Sequence, residues 1–155
     1  MIDAHARPDL LTPIDGLLLS KVTTASTAPE YSLTEPLVVV MAQGGKRLLL
    51  GEQVYEYRAG QCLVVTANVP VTGHYIDIAE GSPSLAMALV LRPSVVAGLV
   101  LQATAGRWSR AGHSAISTGE AGPDLLDSVA RMLRLLDRPS DAPVLAPLIE
   151  REILW

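Results

Sequence analysis

Apolar and polar residues follow two different patterns along this chain. From about residue 14 to residue 92, short apolar runs are separated by turns that contain glycine or proline. Short, evenly spaced runs of this kind predict about seven or more β-strands in a sandwich or a small barrel. From residue 93 onward, the apolar positions recur at the spacing of α-helices. The pattern therefore predicts a mainly β part followed by two to three helices.

Glycines mark the ends of the predicted strands. Gly44-Gly45 tolerates the positive φ values of a two-residue hairpin turn, and Gly51 and Gly60 mark the next two turns. The apolar and β-branched runs between such turns are typical of strands. We predict strands at residues 14–22, 37–43, 46–50, 53–58, 61–66, 71–78 and 85–91.

The last predicted strand has two unlike faces. Met87 and Leu89 belong to a bulky face and Ala86 and Ala88 to a small one, because successive strand residues point to opposite sides. The small face either packs closely against a helix or leaves space for a ligand, and the sequence supports both interpretations. Met87 is included among the candidate ligand contacts.

Three helices are predicted after the strands. Pro93 suits the first turn of a helix, since proline has no N–H to leave unpaired there, and this helix extends over residues 94–104. Residues 105–123 are rich in glycine and serine and are predicted as a loop. A second helix covers residues 123–137, and a third begins near Ser140 or Ala142 and continues to Trp155. Because the third helix has no stop signal, we expect the chain to be a fragment of a longer protein.

The second predicted helix carries an apolar stripe. Its apolar residues recur at positions i, i+1, i+4, i+7, i+8 and i+11, which is the pattern of an amphipathic helix. The stripe either packs on the strands of its own chain or pairs with a second copy. Its members are Leu125, Leu126, Val129, Met132, Leu133 and Leu136.

Composition and charge narrow the class of protein. The chain has 155 residues, 49% hydrophobic and 18% charged, so it can bury a core and does not belong to the disordered class. Its net charge is −4 and it has no run of Lys or Arg, whereas binding to nucleic acid needs a basic surface. The single cysteine, Cys62, excludes an internal disulfide. With no signal-peptide pattern and no apolar run near the ~18 residues that cross a bilayer, we expect a cytoplasmic protein with no membrane partner.

No residue pattern points to catalysis or to a metal. His5, His74 and His113 are isolated from one another, whereas a metal site of this kind needs clustered histidines and a carboxylate. The sequence contains no Gly-x-Ser-x-Gly elbow and no Gly-rich phosphate loop. We therefore expect no enzyme activity, no metal and no cofactor.

Several side chains are candidates for a ligand pocket. Tyr55 and Tyr57 share one strand face and are either pocket walls with a hydroxyl group or a cover for the barrel exterior. His74 is either a core or cavity-wall histidine or a hydrogen-bond donor to a ligand. Cys62 is either a small core residue or a sensor thiol, although no Lys or Arg adjoins it in sequence to make it reactive. Trp108 is either a lid or an anchor for its own loop.

Several separate motifs, taken in order, resemble one known family. The spacing of a Gln-Gly-x-Lys segment, a Tyr-x-x-Gly segment and an Asn-Val-Pro-Val segment is similar to the N-terminal domain of AraC-type bacterial transcription regulators. The likeness covers about residues 14–155 and includes the final helix. The residues that carry it are Glu35-Pro36-Leu37, Gln43-Gly44-Gly45-Lys46, Gly51, Tyr57, Gly60, Asn68-Val69-Pro70-Val71 and residues 148–155.

The resemblance implies a domain plan and a function. Residues 1–13 would be a mobile arm able to fold over an effector, 14–92 a cupin-like β-barrel that binds an unidentified small molecule, and 93–155 a helical dimerisation segment. On this resemblance we predict that the apolar stripe of the second helix forms a homodimer contact. DNA would be bound only by a C-terminal module with two helix-turn-helix units, absent here. The alternatives are a stand-alone cupin enzyme and an effector-free structural dimerisation domain.

Overall fold

A computed structural model describes residues 1–26, 28–103 and 114–155 of the chain. Among these residues, nine strands form two antiparallel sheets, and helices lie at both ends of the chain. A 3₁₀ turn, Leu135–Asp137, follows the third helix. The elements are α1 (Ile2–His5), β1 (Leu17–Val22), β2 (Glu30–Thr34), β3 (Leu37–Gln43), β4 (Gly45–Leu50), β5 (Gln53–Arg58), β6 (Gln61–Val65), β7 (Val69–Ile76), β8 (Ser84–Val90), α2 (Pro93–Gln102), β9 (Ile116–Glu120), α3 (Pro123–Arg134) and α4 (Ala142–Leu154).

The two sheets enclose one of the two apolar cores. The five-stranded sheet has the order β1-β8-β3-β6-β9, and the four-stranded sheet has the order β2-β7-β4-β5. Met41 and Leu63 of the larger sheet and Leu48 and Val71 of the smaller sheet are buried in the same cluster. Side chains of both inner faces therefore meet, as in other double-sheet and barrel folds. The predicted fold class, mainly β with helices after the strands, is confirmed.

The second core lies on the outer face of the five-stranded sheet. Leu17 and Leu89 of this sheet are buried in one cluster with Val129 of α3 and with Ile149 and Ile153 of α4. Alternation along β8 explains the division, because residues on one side face the other sheet and residues on the other side face the helices.

Within the described residues, no helix is both long and apolar enough to cross a bilayer.

Two strands were not predicted from the sequence. β9 lies in the segment that was predicted as a loop, and β2 lies between the first two predicted strands. Only Ile116 is buried in β9, and four of the five residues of β2 are exposed. Both are edge strands, and their side chains are mostly solvated. β9 shows no alternation of apolar and polar positions, and in β2 the residues alternate but the apolar ones, Tyr31 and Leu33, are exposed. The pairing with β6 and β7 makes them strands, and such pairing is not visible in the local sequence.

The N-terminal segment, predicted as a mobile arm, lies against the rest of the chain. Ile2 of α1 is buried in the core beside the helices. The imidazole Nε2 of His5 lies 3.0 Å from Asp137 Oδ1. Asp3 forms an ion pair with Lys21 of β1. Contacts with both β1 and the 3₁₀ turn after α3 therefore position this segment.

Candidate functional site

A cavity of about 170 Å³ lies between the two sheets. This volume is below the ~300–1,000 Å³ that is typical of pockets for drug-sized ligands, so it suits a smaller molecule. Both sheets and the N-terminal segment contribute to its wall. Its lining consists of Leu10, Leu18, Leu19, Ser20, Ser32, Thr34, Leu37, Val39, Met41, Lys46, Leu48, Tyr57, Leu63, Val71, Tyr75, Ala86 and Ala88.

The small face of β8 leaves the space for this cavity. Ala86 and Ala88 line it, and their short side chains do not reach the opposite sheet. Met87, a predicted ligand contact, is 0% exposed and lies on the opposite face, in the core beside the helices. That prediction is corrected by the structure, because the bulky residues of β8 pack against α3 and α4 and the small ones face the cavity.

Three polar groups of the mainly apolar wall lie close together. The Nζ atom of Lys46 lies 3.5 Å from the hydroxyl oxygen of Tyr75 and 4.5 Å from the centre of its ring. The hydroxyl of Ser20 lies 3.2 Å from the same Tyr75 oxygen. Lys46 and Tyr75 are register partners on β4 and β7, and Ser20 comes from β1 in the other sheet. The cluster therefore joins the two sheets across the cavity.

Gly73 makes room for the lysine side chain. A Cβ atom at this position would lie 3.1 Å from Lys46 Cε and 2.8 Å from Leu48 Cδ2. The second distance is shorter than a real Cβ contact, so any larger residue would displace one of these side chains. The absence of a side chain at Gly73 lets Lys46 extend over β7 toward Tyr75.

Tyr57 is the one predicted ligand residue that lines the cavity. It is buried, and burial raises the pKa of its hydroxyl well above the usual range of tyrosine, because the charged form would lose its hydration. Its phenol is therefore neutral and can donate a hydrogen bond. Tyr55 shares its strand face, as predicted, but its hydroxyl lies 3.0 Å from Ser114 Oγ and it is not part of the cavity wall.

His74 and Cys62 lie outside the cavity wall. His74 lies between Gly73 and Tyr75 on β7, and because Tyr75 faces the cavity, alternation places His74 on the outer face of the sheet. Cys62 packs against the core beside the helices. Burial raises the pKa of its thiol, which keeps the unreactive protonated form at neutral pH. The structure supports the interpretation of Cys62 as a small core residue.

The sequence-based selection missed Lys46, Tyr75 and Ser20. One signal was available for Lys46, since it shares a strand face with Leu48, and a cation beside a core leucine is unusual. No comparable signal identified Tyr75 or Ser20, because their proximity depends on how the sheets face each other. Trp108 and His113 lie outside the described residues. Within the described residues, no group of three His, Cys, Asp or Glu side chains is arranged to hold a metal ion.

The apolar stripe of α3 packs largely within its own chain. Val129, Met132 and Leu133 are buried, and Leu125 and Leu136 pack against the same core. Leu126 is the exception, being 40% exposed. This distribution differs from the prediction of six dimer contacts. An amphipathic stripe shows that a helix buries one face, and periodicity does not show whether the covering surface belongs to the same chain or to another.

Other apolar side chains remain exposed on α2 and α4. Leu101 of α2 and Val144 and Leu148 of α4 are all largely accessible. The two helices are neighbours, since Arg151 Nη2 donates a hydrogen bond of 2.7 Å to Gln102 Oε1. Val144 and Leu148 are four residues apart and therefore lie on one face of α4. We refer to Leu101, Val144 and Leu148 as the α2–α4 apolar surface.

An ion pair connects the end of the larger sheet with α4. Arg92, directly after β8, donates a hydrogen bond of 2.9 Å from Nε to Glu150 Oε1 of α4 and pairs with the second carboxylate oxygen as well. A bidentate contact of this kind fixes orientation as well as distance. Arg92 Nη1 also lies 3.8 Å from Asp15 Oδ2. The pair lies at the wall of a second cavity, of about 230 Å³, between the N-terminal segment and the helices.

Comparison with solved structures supports the fold. The apo form of ToxT from Vibrio cholerae has a TM-score of 0.61 and 8% sequence identity, over 91% of this chain and 55% of that chain. The AraC-like transcriptional activator CuxR has a TM-score of 0.53 and 14% identity, over 90% of this chain and 51% of that chain. A second ToxT structure, with an unsaturated fatty acid bound, has a TM-score of 0.57 and 7% identity, over 87% and 51%. The chain thus spans about half the length of each of these three structures.

Comparison at the level of sequence gives a family. A search of curated proteins found no match. A family model described as the AraC-type transcriptional regulator N-terminus matches residues 13–155, which is nearly the whole chain. This match covers both the strands that surround the cavity and the helices that pack on them. The chain belongs to the family of AraC-type transcriptional regulator N-terminal domains.

Proposed function

We propose that this chain is the small-molecule-sensing and dimerisation domain of an AraC-type regulator of transcription. The observation that carries the proposal is the cavity between the two sheets, whose lining is mostly apolar and includes a cluster of hydrogen-bonding groups at Lys46, Tyr75 and Ser20. Ligand sites are commonly of this kind, with apolar walls and a few polar groups that set orientation. The fatty acid bound to ToxT, a protein of similar fold, supports a binding role for the fold.

The N-terminal segment would transmit the presence of an effector. Leu10 lines the cavity, and its carbonyl oxygen accepts a hydrogen bond of 2.9 Å from the N–H of Leu19 on β1. Further along the same segment, His5 contacts Asp137 at the end of the turn after α3. An effector that contacts Leu10 would favour the arrangement in which this segment is docked. Such a shift requires that the effector bind one arrangement more tightly than the other.

The dimer would form through the α2–α4 apolar surface. Regulators that recognise paired DNA half-sites use two-fold related subunits, and this argues for a second copy of the chain as the occupant. The members of this surface are all exposed within one chain, Leu101 and Val144 most of all. Val129, Met132 and Leu133 of the α3 stripe would pack against α4 within each chain and would not contact the second copy.

DNA binding would belong to another part of the regulator. The net charge of −4 and the lack of basic runs make this domain a poor partner for phosphate groups. We propose that DNA is contacted through a helix-turn-helix module and that the protein acts in the cytoplasm. We further propose that the domain has no catalytic activity of its own.

A cavity-filling variant tests the sensing role. Ala88→Leu places three additional carbon atoms into the cavity, whereas Ala67→Leu makes the same change at an exposed loop position. A panel of small molecules would be screened by thermal unfolding, because a ligand that binds only the folded state raises Tm. We expect ligands that stabilise the wild type and the Ala67→Leu variant but not the Ala88→Leu variant. Equal responses of all three proteins to every such ligand would show that the cavity is not the sensing site.

A further inference from the structure

We propose that the effector is a small monocarboxylate whose anionic group binds Lys46. This inference rests on the proposed sensing function and adds the chemical class of the ligand. The carboxylate would lie at the cluster formed by Lys46, Tyr75 and Ser20, and the apolar part of the molecule would fill the space between the two sheets.

The positive charge of Lys46 favours an anionic ligand. None of the ion pairs formed by the described residues includes Lys46, whereas Lys21, the other lysine of the chain, pairs with Asp3. Lys46 is half-buried and borders an apolar cavity. An ammonium group in such surroundings is favoured by an anion within contact distance. Its present neighbours, the ring and the hydroxyl of Tyr75, are neutral.

The donors of Lys46, Tyr75 and Ser20 are arranged to bind a carboxylate. Lys46 Nζ has three N–H groups, and one of them is directed to the Tyr75 oxygen at 3.5 Å. The hydroxyls of Tyr75 and Ser20 lie 3.2 Å apart, so their protons can reorient toward a ligand. A carboxylate offers two oxygens with two lone pairs each. It can therefore accept hydrogen bonds from the ammonium group and from a hydroxyl at the same time.

The rest of the cavity wall and the cavity volume favour a small acid with an apolar body. Eleven of the 17 lining residues are apolar, such as Leu48, Val71 and Ala88, and they suit the hydrocarbon part of an acid better than a molecule with hydroxyls on every side, such as a sugar. Among the described residues that line the cavity, Lys46 is the only Lys or Arg, which favours one negative charge over two. A cavity of about 170 Å³ favours a short alkyl chain or a single ring over a long-chain acid. Hexanoate and benzoate have these properties.

Matched acids and amides test the assignment. The probes are hexanoate and benzoate, each compared with hexanamide and benzamide, which have similar shapes and no charge. Binding to the full 155-residue chain would be measured by calorimetry and by thermal unfolding. The variants are Lys46→Met, which removes the charge, Lys46→Arg, which retains it, and Lys21→Met, which removes the other lysine of the chain. We expect at least one acid to bind the wild type and Lys21→Met at least tenfold more tightly than its amide.

The lysine variants separate the outcomes. In Lys46→Met the preference for the acid should disappear, and in Lys46→Arg it should remain in part. If the amides bind as tightly as the acids and Lys46→Met changes neither, the carboxylate assignment is wrong while the sensing function stands. If neither acids nor amides bind the wild type, the assignment is also wrong, and the Ala88→Leu screen then decides separately whether the cavity senses another class of ligand. Circular dichroism of each variant verifies that it is folded.

Discussion

Lys46 and Tyr75 are direct register partners on β4 and β7, and the lysine Nζ lies 3.5 Å from the tyrosine hydroxyl oxygen. Both side chains face the space between the two sheets, together with Ser20 of the opposite sheet. The pair depends on a neighbour without a side chain, because Gly73 lies two residues before Tyr75 on the same strand face. The geometry of the cavity can therefore be tested through this glycine.

Replacing Gly73 with alanine should destabilise the domain. The new methyl group would lie 2.8 Å from Leu48 Cδ2 and 3.1 Å from Lys46 Cε, so one of these side chains has to move. Overpacking of this kind typically costs about 1–3 kcal/mol of unfolding free energy. The control is Gly119→Ala in β9, where a Cβ meets nothing within 4 Å. Urea denaturation would measure both variants, and equal midpoints would contradict the close packing around Gly73.

Truncating two leucines of α3 should separate the core from the surface. Leu133 is 5% exposed and Leu126 is 40% exposed on the same helix. Leu133→Ala should lower the free energy of unfolding by about 2–5 kcal/mol, because it leaves a cavity in the core beneath α3 and α4. Leu126→Ala should cost about 1 kcal/mol or less. Denaturant titration at one protein concentration checks both values. Similar losses of unfolding free energy in the two variants would indicate that Leu126 is covered by a second copy.

A charge on the α2–α4 apolar surface should dissociate the proposed dimer. Leu148 is 55% exposed, so Leu148→Asp should leave the single chain folded while placing an unpaired carboxylate in the interface. Val54→Asp provides a control with the same exposure, 55%, on the smaller sheet. Sedimentation velocity over a range of concentrations should show dimers for the wild type and the Val54 variant and monomers for the Leu148 variant. An undiminished dimer of Leu148→Asp would place the interface elsewhere.

The Arg92–Glu150 pair should contribute to the docking of α4. Glu150→Gln removes the charge of a buried side chain and weakens a bidentate contact. Because Arg92 is itself partly exposed, solvent screens the pair, and we expect a loss of about 1–2 kcal/mol, in the range of a hydrogen bond to a charged group. Asp127→Asn removes one of the two carboxylate partners of Arg131, in an exposed pair of the i,i+4 type, for which a smaller loss is expected. Comparable losses for the two variants, in urea titrations, would contradict a specific role of Glu150.

Cys62 should react slowly with alkylating reagents. Burial raises the pKa of its thiol, so the fraction of reactive thiolate at neutral pH is smaller than in an unfolded peptide. Iodoacetamide should therefore modify the folded chain more slowly than the same chain in urea, as followed by mass spectrometry. In the folded state, the rate of modification should continue to rise at pH values at which a free thiol is already deprotonated. Fast modification of the folded protein at neutral pH would revive the interpretation of Cys62 as a sensor.

The elements with a strong apolar pattern follow from the sequence. β8 was predictable because it is a continuous apolar run in which bulky and small residues alternate, and α3 because its apolar residues recur with a period of 3.6, which reflects burial of one side of the helix. The turns at Gly44 and Gly51 were predictable because turns that need a positive φ favour glycine. Both glycines have positive φ values in the structure. The mainly β fold class and the membership in a regulator family also follow from the sequence. These features depend on local geometry or on ordered motifs.

Which surfaces cover one another became visible in the folded chain alone. It placed Ala88 toward the cavity and Met87 toward the helices, a choice that alternation alone leaves open. It brought Ser20 close to Tyr75 across two sheets, although 55 positions separate them in the chain. It also covered Leu133 with parts of its own chain. Each of these outcomes depends on contacts between residues that are distant in sequence, and the period of an apolar pattern contains no information about the partner that buries it.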